Sequence, residues 1–331
     1  MTAASGVFIG VDVGFTTVSG GLVTPDGAVL TTMQAPTALG SGTAVHTILS
    51  IVTDLHGEAQ ARGLTLEAVG LGVPGLVDFE RGQIMHSAGG YGAELHQVPL
   101  GERIAAKTGV PVFVDNDVHV LTLGEWLFGR ARGAASCVVL AIGTGMGGGL
   151  VVDGRLVRGH RGFAGELGHV PIDFDGPPCN CGGRGCLTLY VGGHYIAAEA
   201  RARVAREPSS LPALAGGDVA AITAETVFAA AATGDALARD MVDRACRALG
   251  AGLALTVNGL NPEVVVVTGG VVKSFAAHQD RILRRAREYA LADCLAGTPI
   301  HFVPGDKSRT VRGGAALVLY ERARQAAGRS R

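Results

Sequence analysis

Apolar and polar residues alternate in short blocks along most of the chain. Val7–Val13, Val18–Thr24 and Ala28–Gln34 are β-rich runs broken at Gly14 and at Pro25-Asp26-Gly27, the pattern of a three-stranded meander. Val45–Arg62 follows as a helix behind Thr43, a candidate N-cap. Ala68–Val73 is a strand ending at Pro74-Gly75, Leu100–Thr108 a short helix, Val112–Val114 a strand and Val118–Phe128 a helix.

The opening pattern then recurs. Ser136–Ile142 is an apolar strand running into Gly143-Thr144-Gly145, and Gly148–Val152 and Arg155–Arg158 are joined across Asp153-Gly154, a hairpin turn. Val7–Gly14 and Val138–Gly145 thus read as one unit used twice, the mark of an internal duplication. Helices are predicted at Gly193–Val204, Ala224–Thr233, Asp235–Asn258, Phe275–Leu291 and Gly313–Gln325, with strands at Glu263–Val267 and Ile300–Val303. Strands alternating with helices give an α/β fold class with two related lobes.

Composition narrows the function classes. The 331 residues are 47% hydrophobic and 17% charged, enough for two packed domains. A formal net charge of -1 and 5% aromatic residues leave no electrostatic footprint or stacking platform for nucleic acid. No apolar run reaches the length of a membrane span, and Met1–Gly6 has no basic, cleavable leader pattern, so a cytoplasmic protein is expected. The 51 glycines fall largely in clusters, which suggests turns that approach a ligand closely. Three of the six cysteines also cluster, and in a reducing compartment such a cluster reads as metal ligands rather than disulfides.

Three strand-to-turn junctions have the makeup of phosphate contacts: Asp12 with Gly14, Thr16 and Thr17; Gly143, Thr144, Gly145 and Gly147; and Gly269 with Gly270. Glycine brings backbone N–H groups close to phosphate oxygens, and threonine hydroxyls add donors. A single such turn is more often a plain hairpin; three in one α/β chain point to a nucleotide. Asp12 at a strand end suits a hydrated magnesium ion, and no Walker A pattern is present. Asp115-Asn116-Asp117 opens a helix, where an acidic residue can act as an N-cap or as the general base that phosphoryl transfer to an alcohol needs. The asparagine offers a donor and an acceptor to sugar hydroxyls. Cys179, Cys181 and Cys186 place three thiols within eight residues, with glycines to turn the chain, which suits a tetrahedral metal; His169, just upstream, is the candidate fourth ligand.

Glu166-x-Gly168-His169, the CxCGxxGC block at Cys179–Cys186 and Asn116-Asp117 together resemble the ROK (repressor, open reading frame, kinase) sugar-kinase family, nearly end to end. The resemblance implies a two-lobed actin/hexokinase-like ATPase fold with duplicated βββαβα units and a zinc-binding insertion. The expected lobes are 1–117, with a terminal helix 309–331 packing back on it, and 118–308, which carries the zinc loop 169–186. It implies ATP-dependent phosphorylation of a hexose 6-hydroxyl, with Asp117 as base and Mg2+ beside the ATP. Gly75, Gly89, Gly90, Asn116, Asp117, Glu166, His169 and Thr188 fall at its sugar-binding positions. Zinc would be held by His169, Cys179, Cys181 and Cys186, with the second ring nitrogen of His169 facing the sugar.

Several positions depart from the family pattern. Thr188 stands where a sugar-contacting Glu is usual, and His119 where Asn is usual. Ser87-Ala88-Gly89-Gly90-Tyr91 replaces a Pro-Asn-Leu stretch, and Phe15 replaces a glycine. An amino sugar of the kanosamine, N-acetylmannosamine or glucosamine type therefore stands beside glucose as the expected substrate. A catalytically silent sugar-binding protein and a sugar-responsive transcription regulator are the alternatives; the regulator is disfavoured because Asp12 comes too early for a preceding helix-turn-helix. Family members often form homodimers, and a homodimer is expected here.

Overall fold

The computed structural model describes residues 6–37, 43–86 and 93–329. The first elements are β1 (Gly6–Val13), β2 (Thr17–Val23), β3 (Val29–Pro36), α1 (Ala44–Ala61), β4 (Thr65–Val73), β5 (Leu76–Asp78), β6 (Gln83–His86), α2 (Leu100–Thr108), β7 (Val112–Asn116) and α3 (Asp117–Phe128). The middle of the chain gives β8 (Cys137–Ile142), β9 (Met146–Val152), β10 (Arg155–Leu156), α4 (Thr188–Val191), α5 (Gly193–Arg203), α6 (Leu211–Leu214), α7 (Ala224–Ala232) and α8 (Ala236–Leu260). The remainder is β11 (Val264–Gly269), α9 (Val272–Phe275), α10 (Gln279–Tyr289), α11 (Ala292–Gly297), β12 (Ile300–Pro304) and α12 (Lys307–Arg329).

Two five-stranded sheets run in the orders β3-β2-β1-β4-β7 and β10-β9-β8-β11-β12. In the first, β1 pairs antiparallel with β2 and parallel with β4; in the second, β8 and β11 are parallel, as are β11 and β12. The repeated strand order agrees with the duplication seen in sequence. Asp153 and Gly154 both have positive φ (51° and 68°), as a two-residue type I′ hairpin between β9 and β10 requires.

The chain divides into two units, one comprising Met1–Ala135, Gly149–Gly165 and Asp306–Arg331, the other Ser136–Gly148 and Glu166–Gly305. The boundary expected after residue 117 is not where the division falls. α3 packs with α12 over the first sheet, burying Val120 and Leu123 with Ala316 and Leu317, so it stays with the first unit.

Alternation along β1, β4 and β7 sorts the first unit into two layers. Val7, Ile9, Val11, Val69, Leu71 and Val114 join Ile48, Val52 and Leu55 of α1 and Leu100 and Ile104 of α2 in one core. Phe8 and Ala68 face α12 with Val311, Ala315 and Val318. The second layer is closely set. A Cβ on Gly10 would lie 1.8 Å from the Val311 carbonyl oxygen, and one on Gly70 would lie 1.9 Å from that of Gly314. These glycines serve the approach of a helix to a sheet, not a ligand turn. Gly313-Gly314 sits inside α12, which begins six residues before the predicted start at Gly313.

In the second unit α8, the longest helix, is capped by Asp235, whose side chain accepts from Ala238 N, and ends at Asn261 in the left-handed region. The single helix expected over Phe275–Leu291 is broken. Val272 and Phe275 bury one short turn, and α10 starts afresh behind His278 to bury Ile282 and Ala286.

Candidate functional site

Asp12 and Asp115 lie on the α12 side of the first sheet, a consequence of strand alternation. Asp12 is the penultimate residue of β1, with Lys307 Nζ 3.9 Å from its Oδ2. Burial pushes its carboxyl up, opposed by the Lys307 ammonium and a hydrogen bond from Thr310. The following turn is closed by Gly14 N donating to Thr17 O (3.0 Å) and by Thr37 Oγ1 donating to Gly14 O (2.7 Å). Thr16 and Phe15 are exposed there, and Thr17 is half-buried.

β7 runs directly into α3, so the Asp115-Asn116-Asp117 run straddles a strand end and a helix start. Asn116 is the N-cap: its Oδ1 accepts from Val118 N (2.9 Å) and His119 N (3.1 Å). Its Nδ2 donates to Gly75 O (3.0 Å), tying this start to the turn after β4. Asp117, half-buried at the first helical position, accepts from Val118 N at 3.0 Å.

Asp115 is 1% exposed and points the other way. Its Oδ1 accepts from Asn116 N (2.8 Å) and faces His119 Nδ1 (3.0 Å), while Oδ2 accepts from Arg158 Nε (2.7 Å). Arg158 reaches on to Glu321 of α12 (2.6 Å), and Arg324 Nε donates to the second Glu321 oxygen (2.8 Å). Burial by itself would raise the Asp115 carboxyl, but the His119 bond and charge, with Arg158, hold it below the ordinary range. Burial would likewise depress His119, but Asp115 and the Ala164 carbonyl outweigh it and hold the imidazole above its usual value. Arg158 and Glu321 were not anticipated as site residues. A charge at 321, four positions after buried Leu317 on the inner face of α12, was the available signal.

In the second unit the other two glycine turns fall at the ends of adjacent parallel strands. Gly143 N donates to Gly145 O (2.8 Å), and the start of α5 holds the turn through Gly193 N to Gly143 O (2.9 Å) and His194 N to Thr144 O (3.0 Å). Gly147 lies within β9. Gly269 has φ of 114°, and a Cβ there would meet Ile142 O at 2.3 Å, so only glycine fits beside β8. Gly270 is exposed. Thr188 is 2% exposed, and its Oγ1 accepts from Met146 N at 2.9 Å, clasping the first turn from beneath.

Glu166 is exposed and leads a 3-10 turn, Leu167–His169. Gly168 presses this turn onto β9, since a Cβ there would stand 1.8 Å from Met146 O. The ligand atoms of His169, Cys179, Cys181 and Cys186 all lie within 4.8 Å of one another. His169 Nδ1 is 3.5 Å from Cys179 Sγ, and Cys181 and Cys186 Sγ are 3.7 Å apart. Metal–sulfur and metal–nitrogen bonds of about 2.3 and 2.0 Å at tetrahedral angles require edges of about 3.8 and 3.5 Å. The donor set therefore fits a tetrahedral thiophilic metal in size and chemistry. As thiols, Cys179 and Cys186 are pushed up by burial and mutual crowding, Cys186 to about 12. Of the expected sugar positions, Gly89 and Gly90 lie outside the described residues.

A profile of the ROK family matches residues 8–321. A glucokinase of Halalkalibacterium halodurans is 34% identical over 315 residues, 94% of both chains. The fold is similar to that of a ROK glucokinase from Streptomyces griseus, solved with glucose and AMPPNP (TM-score 0.79, 28% identity, 96% of this chain and 99% of that one). It is also similar to a ROK transcriptional regulator homologous to the Escherichia coli Mlc protein (TM-score 0.80, 29% identity), spanning 96% of this chain and 78% of the regulator.

Proposed function

We propose, from the premise that this chain belongs to the ROK family as a sugar kinase, that it transfers the γ-phosphoryl group of ATP to the 6-hydroxyl of glucose or an amino-sugar relative. The observation that carries this reading is Asp117 at the start of α3, fixed by the Asn116 cap and by the Asn116–Gly75 bond. Asp117 accepts the proton of the sugar hydroxyl as that oxygen bonds to the γ-phosphorus and the bond to the leaving ADP oxygen breaks. Catalysis of this kind is mostly positioning and charge stabilisation.

Gly14, Thr16 and Thr17 and the turns at Gly143–Gly147 and Gly269-Gly270 are assigned to ATP. Asp12 would hold hydrated Mg2+, which supplies neutralisation of phosphate charge. Glu166, His169 and the free Nδ2 hydrogen of Asn116 are assigned to sugar hydroxyls. The metal of the cysteine loop is assigned as structural zinc. His169 would hold it through Nδ1, the nitrogen that faces Cys179 Sγ, which would leave Nε2 for the sugar with the ring plane fixed. Near-stoichiometric zinc is expected in freshly purified protein by metal analysis.

Thr188 favours a second reading, a sugar binder without turnover, because its hydroxyl is engaged by Met146 N. Coupled ADP release across glucose, mannose, glucosamine, 3-amino-3-deoxyglucose and their N-acetyl forms separates the two. Turnover on at least one sugar is expected, and calorimetric binding without ADP release on any of them would refute the kinase reading.

A further inference from the structure

His119 is 1% exposed, and both of its ring nitrogens face acceptors. Nδ1 is 3.0 Å from Asp115 Oδ1, and Nε2 is 2.9 Å from the Ala164 carbonyl oxygen. Neither partner has a hydrogen to give: Asp115 already accepts from Asn116 N and Arg158, and Ala164 O is a carbonyl. A neutral imidazole has one N–H, so either tautomer would set a bare ring nitrogen against a buried oxygen.

The buried surroundings also accommodate a charge on the ring. Asp115 and Glu321 share Arg158, each of the three at most 7% exposed, and Glu321 has Arg324 as a second partner, so the Asp115 carboxylate is the group that faces a charged His119. Charged groups reach the ring from β7 (Asp115) and from the strap after β10 (Arg158). Behind Arg158 stands Glu321 of α12, with Arg324 on its outer oxygen.

We infer that His119 is a positioning residue, a buried imidazolium that clamps the Asp115–Asp117 segment to the strap at Ala164 by donating from both nitrogens. It touches neither sugar nor ATP. It acts through Asp115, whose backbone leads into Asn116 and Asp117, and through Ala164, which precedes Glu166 by two residues. The proton on Nδ1 is therefore a structural part of the site, and its loss sets two oxygens against one remaining N–H. The effect on turnover rests on the kinase reading above; the charge state does not.

Two measurements test it. The 15N resonances of the wild-type His119 ring, assigned by their disappearance in His119→Asn, should be those of an imidazolium at pH 7 and should titrate only above the ordinary histidine range. Turnover of wild type should fall over that same alkaline interval toward a plateau roughly 10²-fold lower, as a misplacement of order 1 Å brings. KM for ATP should be retained, and the limb should be absent in His119→Asn. A neutral ring at pH 7 overturns the inference, and so does an alkaline limb that persists unchanged in His119→Asn. If that variant does not fold, His119→Gln takes its place for both the assignment and the kinetic limb, with the same outcomes deciding. Should no sugar turn over, the kinase reading fails by itself, while the ring spectrum still decides the imidazolium.

Discussion

Gly168→Ala is a sharp perturbation, because it adds one methyl group against a backbone atom that cannot rotate away. The new Cβ would stand 1.8 Å from Met146 O, where a carbon–oxygen contact is ordinarily about 3.3 Å. Relief requires about 1.5 Å of movement between the Leu167–His169 turn and β9. Forced overpacking of this kind costs roughly 1–3 kcal/mol. The turn carries His169, whose Nδ1 closes the thiol cluster 3.5 Å from Cys179, so movement there would open the proposed metal site and swing the other ring nitrogen. A displacement of order 1 Å at a substrate-orienting group is worth about 10²-fold in rate. The assay is kcat/KM for the best sugar, with zinc content and thermal midpoint on the same preparation. The expected outcome is a joint loss: lower midpoint, sub-stoichiometric zinc and about 10²-fold lower kcat/KM. Wild-type kinetics with full zinc would refute the proposal that this turn orients His169 toward sugar through the metal.

Asp117→Asn should reduce turnover about 10²–10⁴-fold while ATP binding by calorimetry is retained; turnover near wild type would remove Asp117 as the base. Arg158→Met should destabilise the first unit by about 3–5 kcal/mol in urea at pH 7, because it leaves Asp115 and Glu321 buried without their shared cation. An unchanged midpoint would mean that water or Arg324 takes over. Thermal midpoint against pH should show a plateau with two shoulders. The Asp115 contribution, from a depressed pKa, is present above its ordinary 3.8 and lost as pH falls through the folded value. The His119 contribution, from a raised pKa, is complete below 6.5 and lost as pH rises through its folded value. His119→Asn should remove the alkaline shoulder and diminish the acid one, to which Arg158 alone then contributes.

What could be seen in the sequence followed from how local each signal was. The β1–β3 meander and the β9–β10 turn were visible because alternation and Asp-Gly chemistry act within a few residues. The thiol loop was visible for the same reason, its three cysteines spanning eight positions. The β5–β6 hairpin was not, since strands of three and four residues carry only Val77 and Ile84 as fully buried apolar pairing. The Arg158–Glu321 pair joins positions 163 apart in the chain, and no periodicity reports such a contact. His119 and Thr188 were visible only as departures from a family pattern. Their opposite roles, one behind the helix start and one under a glycine turn, came from burial and hydrogen-bond partners. The role of the glycines inside β1 and β4 was not visible, because the helix that crosses them at backbone distance lies far away in the chain.

That crossing also bears on the order in which the protein is made. β1 is covered on its Gly10 face by α12, whose Val311 and Gly314 carbonyls sit against Gly10 and Gly70. Nearly three hundred residues, Asp12 to Asp306, are translated between the two, and the whole of the second unit is among them. At synthesis rates of roughly 5–20 residues per second, Phe8 waits about 15 seconds or longer, and Ala68 about 12 seconds or longer, for Val311, Ala315 and Val318. The glycine lane that admits α12 is thus also a vulnerable interval in the life of each new chain.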